Sequence, residues 1–172
     1  MKTNSSIPDL ISTWKTSNRV TEYFLENLPE ELWSNKIPAI PQKTIRMVAG
    51  HIHNSRCMWI KMIGVEYSIM IPENVDRRKV TKSALMKALR QSNRGIIELL
   101  EKGINTGGTF YATVPWMNIP PDVLHFAAYL IAHEAHHRGQ IILAARQLGQ
   151  RLPQAVVSGL WQWKSRYKES IK

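Results

Sequence analysis

The stretch His133-Glu134-Ala135-His136-His137-Arg138-Gly139-Gln140 holds the densest set of chemically competent side chains in the sequence. His133 and His137 are four residues apart. On a helix that spacing sets them on one face, one turn apart, with Cβ atoms about 6 Å from each other. Two imidazoles so placed can reach one metal ion at about 2.1 Å each. His136 is rotated about 100° from His137 and does not readily join them. Phe126, Leu130, Ile141 and Ala144 share the face, so both rings point toward a core. Ionisable groups there are costly unless something satisfies them. A shared metal would do so. The alternative is a pair of core histidines bonded to backbone or side-chain partners.

A third ligand has to come from elsewhere. In the segment around 44–64, His51 shares a face with Val48, Ser55, Met58 and Met62 and reads as inward. His53 lies about 200° away, beside Arg46, Gly50 and Asn54, and reads as an ordinary surface histidine. His125 precedes His133 by two turns and is off its face by about 80°, which suits the mouth or end of a bundle. The pattern from His133 to His137 also matches the zinc-protease signature H-E-x-x-H. The extended form of that signature needs Gly at 140 and His at 143. The chain has Gln140 and Leu143, and no Asp or Glu follows between Arg138 and Lys168. The protease reading therefore lacks its third ligand.

The flanking residues carry two readings each. Glu134 is either a general base beside the metal or a solvent-facing helix residue, and its position off the ligand face favours the second. Arg138 either holds an anionic substrate or closes a salt bridge across the bundle. Gln140 is placed to hydrogen-bond near the histidines. Cys57 lies off the His51 face and reads as a small core or surface thiol.

These residues need helices to position them, and the periodicity supplies four. The first spans about Pro8 to Asn27, with Leu10, Trp14, Thr21, Phe24 and Leu28 at helical intervals. A connector with Pro38 and Pro41 follows. The second spans about Thr44 to Gly64. The third spans about Thr81 to Lys102, with Gly103 as its stop. The fourth opens at Pro120-Pro121-Asp122 and runs to about Leu148, closing at Gly149. The segment from Asn105 to Ile119 reads as a loop, although Gly107-Gly108 followed by Thr109 to Val114 would also suit a short hairpin. A short helix containing Trp161 and Trp163 is expected to cap the assembly. Four amphipathic segments with short connections predict an all-α four-helix bundle, one domain over residues 1–172.

The bulk numbers agree. A chain of 172 residues, 44% hydrophobic and 21% charged, can bury a core without disulfides. It has one cysteine, no apolar leader and no apolar run long enough to span a bilayer. A cytoplasmic location with no membrane association is expected. The net charge of +10 is spread along the chain, without an aromatic-interleaved basic patch. Specific nucleic-acid binding is not expected.

Taken together, the residues resemble the DinB-like (DinB/YfiT) family. Three features carry the resemblance: His51-Ile52-His53-Asn54-Ser55-Arg56 leading to Trp59; His133 through Gln140; and Arg146-Gln147-Leu148-Gly149 through Leu152-Pro153 to Trp161-Gln162-Trp163. The opening Leu28-Pro29-Glu30-Glu31-Leu32-Trp33 is similar to the family's first connector. The match covers nearly the whole chain in order. It implies an up-down-down-up bundle with a three-histidine site, which carries over to His51, His133 and His137. It also implies a homodimer and a metal-dependent enzyme acting on small molecules, of thiol transferase or hydrolase type, with a low-molecular-weight thiol as possible partner. The alternative is a non-catalytic metal-binding or stress-related interaction protein. Three neutral imidazoles leave coordination positions open, the pattern of a catalytic rather than a structural site. One divalent ion is expected, and zinc, nickel, iron, cobalt and manganese all accept such ligands.

Overall fold

The structure is a computed structural model that describes residues 6–110 and 119–171. Four long helices dominate it: α1 (Ser6–Glu26), α2 (Ile45–Gly64), α3 (Lys82–Asn105) and α4 (Val123–Gln147). Between α1 and α2 the chain makes a small antiparallel hairpin, β1 (Lys36–Ile37) and β2 (Ile40–Thr44). Two short helices close the chain, α5 (Gln154–Gly159) and α6 (Trp163–Ser170). Among the described residues no helix is long and apolar enough to cross a membrane.

The starts of three helices follow from their caps. Thr44, Thr81 and Asp122 each turn a side-chain oxygen onto a backbone N–H of the first turn, at Met47, Ala84 and His125 respectively. Each bond satisfies a donor that has no partner within the helix. At the far end of α4, Gly149 takes a positive φ of 73°, where a Cβ would be strained.

Contacts between named residues give the helix directions. Early α1 meets the middle of α3 where Trp14 Nε1 donates to Asn93 Oδ1 at 2.9 Å. Just past the end of α1, the Leu28 carbonyl accepts from Lys82 at the start of α3. These two helices are therefore antiparallel. His53 lies against Ser92, and Ile60 lies against Gly95, so α2 and α3 run parallel. Trp59 stacks edge-on against Phe126 while His51 meets His137, so α2 and α4 are antiparallel. The result is up-down-down-up. A parallel α2–α3 pair requires a return connection along the bundle, and residues 65–81 supply it.

The core forms two apolar clusters. One gathers Phe24, Leu25, Ile45, Ile52, Leu85, Leu89 and Ile141. The other gathers Trp14, Ile60, Ile63, Leu99, Phe126 and Leu130. Between them sits a buried polar layer centred on Arg56 and Glu134.

Two expectations from the sequence change, the stop at Gly103 and the shared helix for Trp161 and Trp163. Gly103 does not stop α3; the helix continues to Asn105, and Gly103 is buried inside it. A Cβ there would stand 2.5 Å from Phe110 Cε1 and 2.6 Å from Val123 Cγ2, so the glycine serves close packing. The connector with Pro38 and Pro41 contains the β1–β2 hairpin. Trp161 and Trp163 do not share a helix: Trp161 lies between α5 and α6, and Trp163 begins α6. The two short helices lie along α1, where Arg19 pairs with Glu169 at 2.8 Å and the Arg166 guanidinium covers the Tyr23 ring at 3.8 Å. In the segment read as a loop, Thr109 forms a lone bridge with Asp122; Tyr111, Thr113 and Val114 lie outside the described residues.

Candidate metal centre

His51 comes from α2, about two turns past its Thr44 cap. The entry to α2 is held by backbone bonds from Ile45 N–H to Asn35 and from Arg46 N–H to Trp33. His133 and His137 come from the middle of α4. The three rings converge: centroids are 4.4 Å apart for His133 and His137, 4.7 Å for His51 and His137, and 5.3 Å for His51 and His133. One ring nitrogen from each lies within 4.8 Å of the others. Tyr129 stacks on the outer side of His133 at 5.8 Å.

The donor set fits a metal ion. His133 Nε2 and His137 Nε2 face each other at 3.0 Å. Two nitrogens each about 2.1 Å from one ion stand about 3.0 to 3.4 Å apart between right-angle and tetrahedral geometry. Gln140 organises the second of these rings. Its Oε1 accepts from His137 Nδ1–H at 2.8 Å, and its Nε2 donates to His136 Nε2 at 2.9 Å. With Nδ1 carrying the proton, His137 Nε2 presents its lone pair to the cluster. Burial pushes the His51 imidazole down to about 4, with the charges of His137, His133, Arg77 and Lys43 adding to it. Burial and His137 lower His133. For His137, burial outweighs the Gln140 bond that raises it. All three rings are thus held in the neutral form that ligates.

His51 and His137 open into a cavity of about 290 Å³ between the β1–β2 hairpin, α2 and α4. This is near the lower limit for small-molecule sites. Its wall combines apolar side chains with Lys43, Arg77 and Gln140.

Of the other site residues, His53 and Glu134 depart from expectation. His53 is fully buried rather than on the surface. Its Nε2–H donates to the Glu73 carbonyl at 2.8 Å, and its Nδ1 lies 3.1 Å from the Ser92 hydroxyl. The side of α2 opposite His51 is covered by α3 and by residues 65–81, so turning away from the histidine cluster does not mean facing water. His125 is exposed and sits on Asp122 at 3.0 Å, away from the cluster. His136 is not one of the converging histidines, as its rotation requires; it accepts from Gln140 and its ring lies edge-on to that of His137 at 5.2 Å.

Glu134 is also corrected: it is buried, at 1% exposure, not solvent-facing. It points toward α1 and α2 and forms a two-point ion pair with Arg56. Arg56 Nε donates to Oε1 at 2.7 Å and Nη2 to Oε2 at 2.9 Å. Thr21 donates to the same carboxylate at 2.7 Å and accepts from Arg138 at 2.6 Å. Arg56 also reaches Asn18 and the Leu89 carbonyl, and lies over the Trp14 ring. Arg138 therefore ties α4 to α1. Burial pushes the Glu134 carboxyl up, but Arg56, Thr21 and Arg138 outweigh it and leave it below the usual carboxylate range. A carboxylate committed in this way has no free lone pair aimed at the histidines, which removes the last support for a zinc-protease reading of His133–His137. Cys57 is a core thiol, 3.3 Å from His53 Nε2, pushed up to about 11 chiefly by burial.

Sequence reasoning did not find the Arg56–Glu134 pair. Two charged residues on buried helices were the available signal, and their partnership across 78 positions was not.

A search of curated proteins finds no match. The family model described as the DinB family matches residues 1–168, and with that coverage the chain belongs to the DinB family.

Proposed function

We propose that the protein is a metal-dependent enzyme acting on small molecules, of thiol transferase or hydrolase type, with His51, His133 and His137 as the ligands of one divalent ion. One observation carries the reading: three neutral imidazoles converge beside a cavity large enough for a small molecule. Three ligands leave positions open for a reacting group. A divalent ion there would supply a Lewis acid able to lower the pKa of a water or a thiol. The protein's own part is to hold the ring nitrogens in place, through Gln140 at His137, and to shelter the site with the hairpin and α4.

The test is elemental analysis of tag-free protein and five single variants, followed by a screen with low-molecular-weight thiols. His51→Ala, His133→Ala and His137→Ala are expected to lose most of the metal. His53→Ala and His136→Ala are expected to keep about one ion per chain. Loss in His136→Ala with retention in His137→Ala would overturn the assignment.

A non-catalytic metal-binding role is the second reading. It is favoured by the cavity wall, which among the described residues carries no Asp or Glu to move a proton. Turnover of any thiol conjugate that depends on added metal excludes it.

We also propose a homodimer. Trp161 is 82% exposed and Ile171 62% exposed on the C-terminal segment, apolar surface of the kind that pairing covers. Sedimentation at micromolar concentration should show about twice 19.8 kDa; a single species at the chain mass refutes it.

A further inference from the structure

The cavity beside the histidines is chemically one-sided. Ile37, Ile40, Val48, Leu143 and Ala144 make much of its wall apolar. Among the described residues the charged ones on it are Lys43 and Arg77, and no acid balances them. Among the described residues neither cation forms an ion pair. Arg77 is half-buried and Lys43 is exposed.

Arg77 is positioned by its backbone and its stem. Asn54, three residues after His51 on α2, grips Val75 at both polar backbone groups. Its Nδ2 donates to the Val75 carbonyl at 3.0 Å, and its Oδ1 accepts from the Val75 N–H at 2.9 Å. The stem of Arg77 then lies over Gly50. A Cβ at position 50 would stand 3.1 Å from Arg77 Cγ and 3.5 Å from Arg77 Cβ. Gly50 therefore lets the stem lie flat on α2, next to His51. Packing the stem of a long cation while leaving its head unpaired at an apolar cavity prepares that head for an anion.

We propose that this cavity binds a small organic anion with an apolar body, its head held by Arg77 with Lys43 and its body against Ile37, Ile40, Val48 and Leu143. The proposal rests on the metal-dependent reading above for the reaction, and it adds the class of substrate. The guanidinium fork matches carboxylate and phosphate alike. The volume limits the body to a short chain or a single ring.

Isothermal titration of the full chain tests this, as purified and after chelation, with hexanoate, hexyl phosphate and hexylamine. At least one anion should saturate in both preparations, and hexylamine should not bind. Whichever anion binds more tightly identifies the head group. Arg77→Met should weaken it at least tenfold, and Arg77→Lys should restore part of the loss. Leu143→Asp changes a residue that is 56% exposed, so the fold should tolerate it. It brings a like charge to the wall and should also weaken the anion. The proposal is overturned if neither anion binds, if binding appears only with metal present, or if Arg77→Met and Leu143→Asp both bind as the parent does. Metal content of the same samples separates the two readings. Anion binding without any metal uptake refutes the metal-dependent function alone, and metal uptake without anion binding refutes the substrate class alone.

Discussion

A histidine offers a metal one nitrogen, and the group bonded to the other decides which one is free. At His137 that group is Gln140, 2.8 Å from Nδ1. Gln140→Leu keeps the volume and removes the acceptor. Its metal affinity should fall about 10- to 100-fold, read by competition with a chromophoric chelator. His136→Ala should change affinity less, because Gln140 bonds His137 Nδ1 directly while His136 bonds Gln140 and meets the His137 ring only edge-on at 5.2 Å; equal affinities for parent and Gln140→Leu would show that the bond does not orient the ring. This part of the site was legible in the sequence because it is local. His133, His137 and Gln140 lie within eight residues on one helix, and helical spacing alone puts them together. His51 was legible as an inward residue, while its partnership with α4 came only from the family resemblance. Glu134 and His53 were misread for one physical reason. A helix between several neighbours is buried on more than one side, so a residue rotated off the apolar stripe need not meet water. Arg56 covers Glu134, and residues 65–81 with α3 cover His53.

Among the elements, glycines separate packing from punctuation. Gly103 in α3 faces Phe110 and Val123 so closely that a Cβ would stand within 2.6 Å of each. Gly139 in α4 is exposed and has nothing within 4 Å of the same point. Replacing an exposed helical glycine by alanine gains about 0.5 to 1 kcal/mol from backbone entropy and helix propensity. Gly139→Ala should gain that much. At Gly103 the same gain is opposed by overpacking of about 1 to 3 kcal/mol, because an aromatic ring and a branched side chain must both move. Gly103→Ala should be net destabilising by about 1 kcal/mol. Urea unfolding of the two variants checks the pair, and a stabilised Gly103→Ala would show that Phe110 yields at little cost. The contrast explains why helix starts were easier to place than this end. Thr44, Thr81 and Asp122 act within their own first turns. Gly103 acts on Phe110 and Val123, which fold back from the following segment, and its role depends on that return.

For the whole molecule, the same burial that keeps the histidines neutral should make the metal-free protein sensitive to mild acid. An unfolded imidazole titrates near 6.5. In the folded chain His51 is held down to about 4, and His53, His133 and His137 are also lowered. Below about pH 6.5 the unfolded chain therefore takes up protons that the folded chain refuses. Stability must fall as pH drops through that interval, and for His51 it continues to fall down to about 4. Glu134 acts later and with a different origin. Its folded pKa lies below its ordinary value, so the Arg56 pair contributes fully above about 4.5 and is lost as pH falls through the lower, folded value. The acid limb of stability should thus have an upper part set by histidines and a lower part set by Glu134. Bound metal should deepen the upper part, because protons compete with it for the same nitrogens. Urea midpoints of the chelated protein, measured from pH 7.5 to 4, should decline steadily below about 6.5. His51→Gln cannot take up a proton in either state, so its decline over that interval should be shallower. A midpoint that stays level between pH 7 and 5, or a His51→Gln curve parallel to the parent, would show that the His51 ring is solvated enough to titrate as in the unfolded chain.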